Sequence, residues 1–114
     1  MLSSEHRLTK KADFERLKKS GKSHHFKYFT LSVFNRKDKL PTRVGFIVTK
    51  NVSGSSVIRN KVKRGLGEGV RQNMIYIKPG LDCVVIAHTD SARAYTADLM
   101  QAVSEAIKGA KIGK

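Results

Sequence analysis

The residues best equipped for chemistry lie together, in Val57-Ile58-Arg59-Asn60-Lys61-Val62-Lys63-Arg64. At about 100° per residue on a helix, Ile58, Val62, Leu66 and Val70 fall on one arc. Arg59, Lys63, Asn60, Arg71 and Arg64 fall on the next, in that angular order. A guanidinium grips a phosphate with two parallel donors, whereas an ammonium acts as a point charge. The Asn60 carboxamide both donates and accepts, so it can meet a base edge, a 2′-hydroxyl or a neighbouring side chain. The chemistry is that of binding a polyanion. No catalytic set stands beside it. His24 and His25 are adjacent, point apart on a strand and have no carboxylate nearby. No Ser/His/Asp or Cys/His arrangement can be picked out. Cys83, the only cysteine, sits in an apolar run where a thiol is normally inert. One cysteine also excludes an intrachain disulfide and a cysteine-rich zinc site.

The rest of the chain supports a binding role. It has 114 residues, one domain's worth, and a formal charge of +14. Residues 1–40 carry net +7, residues 41–80 another +7, and residues 81–114 none. Such an excess repels itself in the folded state and implies a polyanionic partner. With 39% hydrophobic residues the chain is no disordered basic tail. It contains no run near the roughly 20 apolar residues that a membrane helix needs. The N-terminus lacks the apolar core of a signal peptide, and a cytoplasmic location is expected. The basic segments lack the aromatic and leucine face of an interfacial helix, so no membrane partner is expected.

Six elements must position these groups. Residues 10–20 read as a short helix, with Thr9 as its cap, Gly21 as its stop, and Phe14 and Leu17 as its large apolar residues. Residues 26–34 alternate at Phe29, Leu31 and Val33 with strand period. Asn35 to Pro41 is a charged turn, and residues 43–49 form a second strand, expected to pair with the first as a hairpin. Asn51 to Ser56 reads as a loop ending in a cap, followed by the basic helix over residues 57–71. Pro79-Gly80 turns into a strand at residues 81–87, and an amphipathic helix covers about residues 92–109. The order αββαβα predicts an α+β domain built as a split βαβ sandwich.

Here the chain resembles the bacterial ribonuclease P protein family, over about residues 8–107. Arg59-Asn60-Lys61-Val62-Lys63-Arg64, with Gly54-Ser55-Ser56-Val57 before it, is similar to that family's basic helix and its lead-in. Leu8-Thr9-Lys10-Lys11-Ala12-Asp13-Phe14, Arg43-Val44-Gly45-Phe46, and Pro79-Gly80 with Asp82 to Ala87 are similar to three flanking signatures in the same order. The resemblance implies a fold shared with a ribosomal-protein domain, with a left-handed βαβ crossover against the usual right-handed rule. It implies the protein subunit of an endoribonuclease that removes the 5′ leader of precursor tRNA. In that enzyme the RNA does the hydrolysis with bound magnesium, and the protein alone is inactive and holds no cofactor. The implied partners are the catalytic RNA and precursor tRNA, with no obligate protein partner.

The resemblance also assigns residues. Arg59, Asn60, Lys63 and Arg64 take the RNA-facing role, with Lys61 where an arginine is usual and Lys50 after the second strand. Phe14 and Phe29 match aromatics of a cleft between the first helix and the sheet, where leader bases would stack, and Lys10 and Lys11 would touch the leader backbone. Lys18, also assigned to the leader, stands where many members carry a second aromatic, and Ser32 where many carry tyrosine. Stacking should therefore be thinner here. Asn51 replaces a usual lysine and Gly67 a usual arginine. Gly65, Gly67 and Gly69 together cost about 3 kcal/mol of helical preference, so fraying after Leu66 is expected. A ribosomal or general RNA-binding protein of similar fold is the alternative; an autonomous hydrolase and a DNA-binding module find less support.

Overall fold

A four-stranded sheet lies between two unequal helical layers in the computed structural model, which describes residues 2–114. In chain order the elements are α1 (Lys11–Ser20), β1 (Lys22–His25), β2 (Phe29–Asn35), β3 (Arg43–Ile47), α2 (Ser56–Asn73), β4 (Leu81–Ala87) and α3 (Thr96–Gly109). Short 3₁₀ turns at Ser4–His6, Met74–Tyr76 and Thr89–Arg93 join them. The fold is mixed α+β, as expected.

Two expectations about the sheet change. First, a strand precedes the one at Phe29: β1, Lys-Ser-His-His, pairs antiparallel with β2. It is an edge strand with mostly exposed residues, so it lacks the apolar alternation that would reveal it. Second, β2 and β3 form no hairpin. The strand order is β1-β2-β4-β3, with β4 inserted between them, antiparallel to β2 and parallel to β3. Central β4 buries both faces, which is why it reads as a continuous apolar run.

The pleat sorts side chains onto two faces. Phe29, Leu31, Cys83, Val85 and Val44 point to the face covered by α2 and α3 and join Val62, Leu66, Val70, Leu99 and Val103 in the main core. Gly45, Val84, Ser32 and Ser23 stand side by side across the sheet on the other face. There Val84 packs with Leu8 and Leu17 in a smaller core, joined by half-buried Phe14 and Phe34.

Helix ends also differ from expectation. Lys10 rather than Thr9 occupies the cap position of α1, with no side-chain cap bond. Ser55 caps α2 by accepting from the Ile58 amide at 3.3 Å. The helix does not stop after Leu66 but runs to Asn73. A Cβ at Gly65 would stand 3.0 Å from Leu99 Cδ1, and one at Gly69 3.0 Å from Val103 Cβ and 3.1 Å from Met100 Cα. These two glycines let α2 lie close against α3, and that packing offsets their poor propensity. Asp98 accepts from the Tyr95 amide at 3.1 Å at the start of α3.

Candidate nucleic-acid interface

The core grips α2 by Val62, Leu66 and Val70, and α3 grips it at Gly65 and Gly69. What remains faces solvent. Asn60, Lys61, Lys63 and Arg64 are all exposed, and among the described residues none of the three cations has an ion-pair partner. Lys50 is exposed in the preceding loop. Arg59 is half-buried, and its Nη1 donates to the Ser53 carbonyl at 2.9 Å, tying the helix to the loop that enters it. Arg71, on the same arc in sequence, is instead paired with Glu68 one turn away. The pair holds the Glu68 carboxyl below and the Arg71 guanidinium above their ordinary values, chiefly through their hydrogen bond. Arg71 is thus partly neutralised, and the free array ends at Arg64.

Other arginines are committed to structure. Asp82, almost fully buried, accepts from Arg36 Nη1 at 2.5 Å and from Arg43 Nε and Nη2 at 2.9 Å each. Arg43 Nη1 also reaches Asp13 at 3.3 Å, and Asp13 accepts from Arg16 Nη2 at 2.5 Å. The Asp82 hydrogen bonds raise the Arg43 guanidinium above its ordinary value, so it stays charged. This chain of charges fastens α1 to β3 and β4. The next residue, Phe14, lays its ring on Gly45, where a Cβ would stand 2.6 Å from Cζ. The Asp13-Phe14 and Arg43-x-Gly45 signatures therefore meet as one joint, an ion pair beside a ring seated on bare backbone.

That joint seats α1 on the sheet face where the resemblance expects a leader-binding cleft. Phe14 is half-buried there, while Lys10, Lys11 and Lys18 are exposed on α1. Phe29, expected in the cleft, is not on this face of the sheet. It is 1% exposed and points to the α2/α3 face, in tilted contact with Phe26 at 5.6 Å between ring centres. Odd positions of β2 face the main core, so a cleft residue on this strand must be even-numbered. The even positions are Thr30, Ser32 and Phe34, with the Arg16 guanidinium 5.4 Å from the Phe34 ring centre. The signal for them is present in the alternation itself, since Thr30 and Ser32 are the polar half of the strand. His25 is not a bare surface residue: its Nδ1 lies 3.1 Å from Thr30 Oγ1, which in turn lies 2.7 Å from His88 Nε2. Among the described residues no three His, Cys, Asp or Glu side chains gather in a way that could hold a metal ion, and no helix is long and apolar enough to cross a membrane.

The family model for ribonuclease P matches residues 2–111. The chain belongs to the bacterial ribonuclease P protein family. A ribonuclease P protein component from Clostridioides difficile is 36% identical over 102 residues, covering 89% of this chain and 88% of the relative. One from Clostridium acetobutylicum is 42% identical over 86 residues, covering 75% and 71%. The solved ribonuclease P protein of Staphylococcus aureus superposes with a TM-score of 0.86 at 30% identity, covering 96% of this chain and 98% of that one. Membership makes the chain a component of an endoribonuclease with a role in tRNA 5′ maturation.

Proposed function

We propose that this chain binds the catalytic RNA of ribonuclease P through the exposed arc of α2, and the 5′ leader of precursor tRNA in the cleft beside Phe14. The observation that carries the reading is the division among the basic residues. Arg16, Arg36, Arg43 and Arg71 are paired with carboxylates, while Lys61, Lys63 and Arg64 stand exposed on a helix anchored from behind. Cations held apart from acidic neighbours are available to phosphates, and rigid placement lowers the entropy cost of docking to a folded RNA. Lys50 and Arg59 extend the array toward the entry loop. Phe14 offers a ring to an unpaired leader base, a contact of about 1–3 kcal/mol, and Lys10, Lys11 and Lys18 offer charge to the backbone.

On this reading the protein contributes no nucleophile, general base or metal ligand. Phosphodiester hydrolysis belongs to the RNA with its magnesium; the protein neutralises phosphates and aligns the substrate. The test is reconstitution. Protein added to a ribonuclease P RNA at low magnesium raises precursor processing, and the protein alone cleaves nothing. No stimulation, or metal-dependent cleavage by the protein alone, overturns the reading.

A further inference from the structure

A surface pocket of about 290 Å³ opens at the carboxyl end of β4, and none of its walls comes from α1. Lys27 and Tyr28 line it from the β1–β2 turn, Asp90 and Arg93 from the 3₁₀ turn after β4, and Tyr95 and Asp98 from the start of α3. The His88 amide donates to the Tyr28 carbonyl at 2.8 Å and holds the two turns together. Tyr95 is 76% exposed, more than any other large apolar side chain among the described residues. The Lys27 ammonium already lies 5.3 Å from the centre of the Tyr28 ring, so Tyr95 is the open ring of the pair. Asp98 is committed to the Tyr95 amide. Asp90 and Arg93 are exposed and have no ion-pair partner among the described residues.

The chemistry of this pocket differs from that of the α2 arc. Its two cations and two carboxylates cancel, so it has no bulk attraction for a polyanion. It has groups that select instead. An exposed ring stacks any unpaired base. An ionised carboxylate only accepts hydrogen bonds, through two oxygens side by side. Among the bases, guanine alone presents two adjacent donors on its pairing edge, N1–H and the N2 amino group; adenine and cytosine present one amino group each and uracil one imide N–H. Asp90 therefore matches guanine, and Arg93 and Lys27 match the phosphates on either side of it. The pocket also lies next to the basic arc. Gly65 faces Leu99 and Thr96, the residue after Tyr95. Lys61 is one turn earlier and about 40° round the helix, on the side of α2 where α3 begins.

We propose that Tyr95, Asp90, Arg93 and Lys27 form a pocket for one unpaired guanine of an RNA strand that continues from the α2 arc. This rests on the reading of α2 as an RNA-binding face. The first experiment measures affinities of the full chain for 9-mer oligouridine RNAs whose central base is uracil, adenine, guanine or inosine, which lacks the N2 amino group. The guanine 9-mer is expected to bind about 3- to 10-fold more tightly than the other three, the equivalent of one or two hydrogen bonds. That preference disappears in Asp90→Asn and in Tyr95→Ala, while their melting temperatures and their affinity for the uracil 9-mer hold. Arg64→Ala weakens all four oligomers alike and keeps the preference. The second experiment uses kethoxal, which attacks N1 and N2 of unpaired guanines, on the complex of the protein with a ribonuclease P RNA, with and without precursor tRNA. A guanine protected by wild type and exposed again with both pocket variants supports the pocket, and its position tells whether the catalytic RNA or the leader supplies it. No guanine preference, a preference that survives both substitutions, or protections that neither substitution changes overturns the pocket and leaves the α2 reading intact. A wild type that binds neither the oligomers nor the catalytic RNA overturns both.

Discussion

Arg64 and Arg59 stand five residues apart on one helix, yet substitution separates them. Arg64 is exposed with no ion-pair partner among the described residues, so on the proposed reading Arg64→Ala removes a phosphate contact and nothing structural. The logarithmic salt dependence of catalytic-RNA affinity is expected to become shallower by about 0.7–0.9, the value of one phosphate, while thermal stability holds within about 0.5 kcal/mol. Arg59→Ala also frees the Ser53 carbonyl, so the same salt titration should show a loss of affinity beyond the one-phosphate change. Cys83 gives a residue-scale prediction of another kind. Burial pushes its thiol up from the usual value near 9 to about 12. A pKa raised by folding means that the protonated form is the one the fold favours. Its contribution is complete below about pH 9 and is lost as pH rises from about 9 to about 12. Chemical denaturation across that window should show falling stability, less so in Cys83→Ala, and a thiol reagent should label the native protein only as fast as it opens. The sequence made the inertness of this thiol legible, because the apolar run around it was local. Phe29 was misplaced because the strand period separates two faces without saying which one a helix covers. Arg71 was miscounted because its pairing with Glu68 depends on rotamers that an angular wheel omits.

Among the elements, α2 carries the exposed basic arc, and its three glycines have separable effects. Nothing lies within 4 Å of a Cβ at Gly67, whereas a Cβ at Gly69 meets the Met100 backbone and Val103. Gly67→Ala should therefore stabilise the protein by about 1 kcal/mol through helix propensity and the entropy of the unfolded chain. Gly69→Ala should destabilise it, because α3 must move. Urea denaturation of the two variants checks the opposite signs; a shared sign would show that backbone propensity alone decides. The helix's existence, hydrophobic arc and basic arc were all readable from a spacing of four. Its length was not, since glycine content argues for fraying and only the facing surface of α3 explains why two of the glycines are an advantage. The same holds for the sheet. Each apolar strand could be found from its own period, but the insertion of β4 between β2 and β3 is a long-range choice that no local pattern encodes. Edge strand β1 had no core face to announce it. The Asp13-Phe14 and Arg43-x-Gly45 signatures were visible as words, and their joint meaning required the fold that brings them together.

For the whole molecule, the decisive quantity is the +14 charge and its confinement to the first 80 residues. Folding draws these cations together, and two of the nine carboxylates, Asp13 and Asp82, bind Arg16, Arg36 and Arg43 at the joint between α1 and the sheet. The rest of the excess repels itself across a small surface. At 0.15 M salt the screening length is about 8 Å, and at 0.01 M about 30 Å, so the repulsion is strong only in dilute salt. Free protein is therefore expected to gain thermal stability as salt rises from low to physiological concentration. Its affinity for the catalytic RNA should fall over the same range, because each phosphate contact releases fewer counterions' worth of free energy as salt increases. Two titrations under matched conditions, a melting curve of the protein alone and an RNA-binding isotherm, check this directly. If the free protein instead melted earlier with added salt, the buried ion pairs would outweigh the surface repulsion, and the basic arc would be less strained by its own charge than its composition implies. The expected pair of opposite slopes follows from one arrangement: buried Asp13 and Asp82 hold α1 on the sheet, and the basic groups left outside repel one another until, on the proposed reading, a polyanion binds them.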